Sequence, residues 1–379
     1  MKKYSENAHF NDSVEYNGYY YFSERFFNGL FRAKKGDAHA ELVATFPGED
    51  LFQEDLHSAS FYSEDAIYFI PLQGKGISIY SPQSDQIQAI KLDNAEGARS
   101  HFITYAVIDD GILLIPQYRE SSFTFLDLKQ RKVESIEWLD QEIDEELSGS
   151  CSNDSWETFS ANSAYVYKGI IYLVVADTRK LLIIDFKSKM VRSIFAPYDV
   201  HFRGLTGSGS IIWFTVIEDL VISYDISKAE WGTIDIPFVA TDKKYPYLVT
   251  YGFNNDLIII PGRDDKLIHF HNNAWESIAF PDSYTRDVEK CLLTMRCFVL
   301  DNKIFMYPRA ASGVLVYDFY SGITESFEMR YEQSFLRKLC GKLSREYMMN
   351  SQVQESVDYA LGDYLIGIVD GLPDEGENV

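Results

Sequence analysis

Apolar residues along this chain gather into short runs that come in pairs, and the pair recurs about every 45 residues, a period typical of repeat architectures. Each pair is an apolar run, often closed by proline, then a short polar loop, then a second apolar run. The second run ends in an aromatic or aliphatic residue followed by aspartate. The copies lie at 66–71 with 77–81, 112–116 with 123–127, 171–175 with 182–185, 211–214 with 221–225, 257–261 with 267–271, and 304–308 with 314–318. A weaker first copy lies at 19–22 with 29–32. Around each pair the pattern predicts two further strands. In the second copy, 58–62 is an inner strand built partly of small residues, 63–65 a turn, 66–71 and 76–80 the apolar pair, and 81–85 turn chemistry. Residues 87–92 then alternate as a half-exposed outer strand should.

Four short strands per repeat with turn signals between them describe a propeller blade. Seven third strands predict an all-β, seven-bladed β-propeller of four-stranded antiparallel blades over residues 1–330. The recurring proline donates no backbone hydrogen bond and so ends pairing. The recurring aspartate is suited to hold the amides of the turn that follows. Both marks serve blade mechanics and say little about function.

Two stretches depart from the repeat. An acidic insertion at 140–157, carrying Asp144, Glu145, Glu146 and Trp156, is charged enough to predict a solvated loop, and it lacks the order of a calcium loop. After Tyr331 the apolar period lengthens. Phe335, Leu336, Leu339, Leu343 and Tyr347, then Val353, Val357, Leu361, Leu365 and Ile368, fall at helical spacing, which predicts a short C-terminal helical appendage over 331–370. An acidic tail at 371–379 is expected to be disordered.

Composition narrows the partners. The net charge is −22 and the aromatic share 15%. So acidic a surface repels phosphate backbones and anionic lipids, which argues against nucleic acid and membrane as partners. The start of the chain has no apolar leader, no run reaches membrane-spanning length, and the four cysteines show no paired spacing. These point to a reducing, cytoplasmic setting.

The third-strand endings Tyr224-Asp225 and Tyr317-Asp318, with Trp231 and Trp275 shortly after comparable strands, resemble a kelch-like propeller of the kind grouped with galactose oxidase central domains. The resemblance covers about residues 10–330 and extends to propeller proteins of bacteria. The double glycine of that family is replaced here by proline or an aliphatic residue. No motif matches the copper ligands or the cysteine-crosslinked tyrosine of galactose oxidase, so no catalytic residue is carried over.

Candidate chemistry lies in the loops that join second to third strands and one blade to the next, which emerge on one face. Arg119, Arg179, Arg263 and Arg309 hold nearly equivalent places there. Four converging guanidinium groups would grip a carboxylate or phosphate; alternatively each pairs with a neighbouring acid such as Glu120, Asp177, Asp264 or Asp265. His57, His101 and His201 each precede a predicted inner strand and are expected near the channel mouth. They come from separate blades, and no ligand spacing calls for a metal or other cofactor. Tyr247, with Tyr198, Phe202 and Tyr245, would stack on sugar rings or pack the rim. No nucleophile elbow or phosphate loop is present. The expectation is a non-catalytic binding or scaffold propeller recognising a protein partner or an anionic, carbohydrate-like ligand, with the C-terminal helices available to dock another protein. The alternative is an enzyme acting on sugars or peptides through channel-facing carboxylates or histidines.

Overall fold

A computed structural model of the chain describes residues 7–331, apart from 52, 93–100, 110, 119–120, 149–157, 239–246, 254–255, 262–265, 283, 285–296, 301 and 308–312. The helical segment and tail expected at 331–379 lie outside the described residues, except that Arg330–Tyr331 is a short strand.

Seven four-stranded antiparallel blades follow one another along the chain, the sequence order of strands matching their spatial order in each, and the first blade's sheet gains a short fifth strand. First strands of successive blades neighbour one another around the centre. Fourth strands such as Gln86–Lys91 and Ala274–Ala279 alternate between exposed and half-buried positions at the outer edge.

The apolar runs have a simple cause. Each second strand is covered on both faces, by the blade before and the blade after, and strands buried on both faces read as continuous apolar stretches. In blade six, Leu257 and Ile259 pack toward Val221 and Ile236 of blade five. Ile258 and Ile260 pack toward Ile304, Met306 and Leu315 of blade seven. The buried core is thus divided into clusters that sit at the blade junctions.

The repeat's two marks behave mechanically. Pro71, Pro116 and Pro261 are the last residues of their strands and stand where the pairing register slips. Asp185 accepts the amides of Lys187 and Ser188, and Asp318 those of Tyr320 and Ser321. Hydrogen bonds from Ser227 hold Asp225 at a pKa of about 2.

Closure joins the two ends of the ring. Arg330–Tyr331 pairs parallel with His39–Ala44, the outer strand of blade one, and Asn7 bridges Arg330 from the other side. Beneath this clasp, Phe10, Phe22, Phe31 and Tyr331 share one cluster with Phe305 and Tyr307 of blade seven.

The acidic insertion departs from expectation. Its beginning is a helix, Glu137–Leu147, rather than a solvated loop. Leu139, Ile143 and Leu147 recur every four residues, are buried, and pack on blades three and four. Asp140 accepts the Phe123 amide, and Glu146 takes Ser193 and Lys180 of blade four through its carboxylate and its carbonyl. Residues 149–157 lie outside the described residues.

Candidate functional site

The loop face is built from hydrogen bonds between each second-to-third loop and the chain entering the next blade. The Asp55 amide donates to the Arg25 carbonyl and Thr158 to Gln117; the Asp177 amide donates to the Phe202 carbonyl, and the Phe202 amide to the Thr178 carbonyl. Charges reinforce two of these junctions. Arg25 meets Asp55 at 3.1 Å, and Asp177 meets Arg203 at 3.0 Å.

That second pair decides the fate of Arg179. Its sequence neighbour Asp177 is engaged by Arg203 from blade five, so the exposed Arg179 guanidinium has no ion-pair partner among the described residues. Lys180, next in sequence, is buried, donates to the Glu146 carbonyl and lies over the Phe195 ring. Arg119, Arg263 and Arg309 lie outside the described residues.

The three expected histidines do not converge. His57 is the first residue of the inner strand His57–Ser63 and lies in the core, not at the channel mouth. Its Nδ1 is 2.8 Å from Ser23 Oγ and its Nε2 3.2 Å from Ser78 Oγ. Burial pushes its pKa down to about 3, so it is neutral at physiological pH. His101 is half-buried edge-on to the Tyr118 ring, 5.2 Å between centroids. His201 is exposed and bonded to Glu218 at 2.7 Å. Among the aromatics, Phe202 is fully buried and stacked on Phe214, a core position rather than a sugar platform. Tyr198 is half-buried against the same cluster. Tyr247 begins the inner strand Tyr247–Phe253. Tyr245 lies outside the described residues.

A different cluster, unmarked by the sequence analysis, lies on the opposite face, at the turn end of blade six. Asp256, His269 and His271 offer ligand atoms all within 4.8 Å of one another, the one such group among the described residues. The register explains the meeting. Leu257 pairs with Phe270, so Asp256 and His271 are the next positions along the two strands, and His269 shares His271's face of the sheet. His269 is buried, Asp256 half-buried and His271 exposed. Asp256 Oδ1 lies 2.5 Å from His271 Nδ1, and Oδ2 lies 3.6 Å from His269 Nε2. Glu276 and the Tyr317 hydroxyl of blade seven both approach His269 Nδ1, at 2.8 and 2.9 Å. Burial, then the charges of Glu276, Asp256 and Asp318, raise the Tyr317 pKa and keep the phenol neutral. The available signal was His-x-His on a strand, which puts two imidazoles on one face.

No family model matches the chain, and no curated protein does. Similar folds are found among solved structures. The extracellular domain of the hybrid two-component system BT4673 from B. thetaiotaomicron aligns with a TM-score of 0.57 and 14% identity over 82% of this chain; the match spans only 38% of that longer chain. Virginiamycin B lyase from Staphylococcus aureus aligns with a TM-score of 0.57 and 11% identity, covering 82% of this chain and 94% of that one. YCF48 bound to D1 peptide aligns with a TM-score of 0.57 and 10% identity over 83% and 94%. At such identities the likeness is one of fold: a seven-bladed β-propeller.

Proposed function

We propose that this chain is a non-catalytic binding or scaffold propeller that takes an anionic group, presented by a protein partner or a carbohydrate, at its loop face. The observation that carries the proposal is Arg179. Its sequence neighbour Asp177 is held by Arg203, which leaves an exposed guanidinium with no ion-pair partner among the described residues. Such a group binds carboxylates and phosphates through paired hydrogen bonds. Arg119, Arg263 and Arg309 fall at corresponding positions of the sequence repeat and would complete the proposed funnel. The chain's net charge of −22 works against non-specific capture of anions, so an anion that binds does so at a local basic site. YCF48, a similar fold, is bound to a peptide; peptide capture is the form of the proposal we favour here. Tyr224-Asp225 and Tyr317-Asp318, with Trp231 against Tyr224 and Trp275 against Phe270, support a kelch-like type of blade. A cytoplasmic location and docking through the C-terminal segment belong to the same proposal.

The test uses a labelled glutamate-rich peptide and a labelled polygalacturonate oligomer in fluorescence anisotropy. Arg179→Glu is expected to weaken the bound probe at least about tenfold, the loss of a charge-assisted bond and its replacement by repulsion. Adding Arg119→Glu and Arg263→Glu is expected to abolish binding. Affinity unchanged in the triple variant removes the proposal.

A further inference from the structure

We propose that Asp256, His269 and His271 form a binding site for a divalent transition metal of the zinc class, at the turn-side rim between blades six and seven. The site is separate from the loop face and does not depend on what binds there.

The donor set comes first. Two imidazoles and one carboxylate suit zinc and its neighbours rather than calcium or magnesium, which prefer all-oxygen shells. A tetrahedral ion with bonds of about 2.0–2.1 Å holds its donors about 3.4 Å apart. The 3.6 Å between Asp256 Oδ2 and His269 Nε2 matches that edge, whereas the 2.5 Å between Asp256 Oδ1 and His271 Nδ1 is a direct hydrogen bond that the entering ion replaces.

The second observation is an orphaned atom. His269 Nε2 is buried and has no hydrogen-bond partner. Its ring is fixed from behind: a carboxylate oxygen of Glu276 lies 2.8 Å from Nδ1, so Nδ1 carries the hydrogen and donates it. Nε2 is then a bare lone pair facing the oxygens of Asp256. A lone pair and a carboxylate oxygen facing each other across 3.6 Å are bridged by a metal ion or by a proton, and titration with zinc tells the two apart. The imidazole backed by a carboxylate is the arrangement that orients metal-bound histidines and raises their basicity. Tyr317, held at 2.9 Å from the same nitrogen, fixes the ring from blade seven.

The third observation is the departure from the repeat. In blades three, four, five and seven the third strand ends in an aspartate spent on its turn. Asp185 pairs with Met190 and Asp318 with Ile323, each across a four-residue turn. In blade six His271 pairs with Ala274 across only Asn272 and Asn273, both at positive φ, 50° and 60°. A two-residue turn of this kind satisfies itself and needs no aspartate. The position is therefore released from turn duty and filled by histidine. The place of His269 is taken by Ile79, Ile183 and Val316 in blades two, four and seven, so a buried histidine here replaces apolar packing. Water completes the shell on the exposed side of His271, the open arrangement of three protein donors.

The full chain, stripped with a chelator, is titrated with Zn²⁺ against a competing fluorescent chelator and with Co²⁺ followed by visible absorption. One equivalent is expected to bind, and Co²⁺ to show the intense bands of a low-coordinate nitrogen-ligated ion. His271→Ala and Asp256→Asn, both at positions reached by solvent, are each expected to weaken binding at least about tenfold, and Glu276→Gln by about 10–100-fold. His39→Ala and His201→Ala are expected to leave it unchanged. As a check independent of any variant, Zn²⁺ should shift the imidazole NMR resonances of His269 and His271 and of no other histidine. No bound equivalent, affinity within about twofold of wild type in both His271→Ala and Asp256→Asn, or shifts confined to other histidines overturns the proposal.

Discussion

His57 sits between two serine hydroxyls, Ser23 and Ser78, with the Phe46 and Phe69 rings 4.4 and 5.5 Å from its own. Its depressed pKa has a consequence for stability. The unfolded chain protonates near pH 6.5, the folded chain only near 3. Protons therefore favour the unfolded state as pH falls through that window, and stability is lost on acidification. Between pH 7 and 4.5 this one residue is expected to cost about 2–3 kcal/mol. His57→Gln should lower stability at pH 7 but flatten the acid limb, measured by urea unfolding at both pH values; an unchanged limb would show that His57 does not stay neutral in the core. The sequence expectation placed His57 just before the strand. It is in the strand, where alternation decides which way it points. The serines that receive it come from blade one and from the third strand of its own blade, which no local pattern announces.

At the scale of elements, the helix Glu137–Leu147 shows how composition can mask periodicity. Six of its eleven residues are acidic, and that charge density suggested a solvated loop. Yet Leu139, Ile143 and Leu147 fall every four residues and lie buried on blades three and four. A sparse stripe suffices because the blades supply the other half of the contact. Ile143→Ala is expected to destabilise the protein by about 2–4 kcal/mol, whereas Glu145→Ala, at an exposed position of the same helix, should change it by less than about 0.5 kcal/mol. Urea midpoints compare the two; equal effects would mean that the helix does not hold to the blades. The strands themselves were legible, because a run covered on both faces must be apolar and its turns must carry Asp, Asn and Gly. Blade six was legible as a blade and illegible as a site. His269 and His271 fall within the repeat's third strand, and their partner Asp256 lies across the register, while Glu276 comes from the fourth strand and Tyr317 from a second blade.

For the whole molecule, ring closure is held by a buried carboxylate. Glu24 accepts the His9 amide at 3.1 Å, the Phe26 amide at 3.3 Å and the Tyr331 hydroxyl, tying the chain before blade one to the strand after blade seven. Burial outweighs these hydrogen bonds and raises its pKa from 4.5 to about 7. The folded state thus holds the proton more tightly than the unfolded one. Its contribution to stability is full below about pH 4.5 and is lost as pH rises toward 7, a change of about 3 kcal/mol. Glu24→Gln is expected to remove that alkaline loss, so wild type and variant should diverge in urea midpoint between pH 4.5 and 8. A constant difference across the range would refute the assignment. Glu24 and His57 act in opposite directions, one penalising high pH and the other low, and leave the ring most stable between them.

The repeat period, the blade count and the turn residues were determined by the sequence alone, because each rests on contacts within one blade or on burial common to all blades. Only the tertiary structure decided that Arg179 is uncommitted, that His57 is a core residue, and that Asp256, His269 and His271 meet. Those outcomes depend on which residue of the next blade arrives at a given rung, and spacing along one chain does not carry that information.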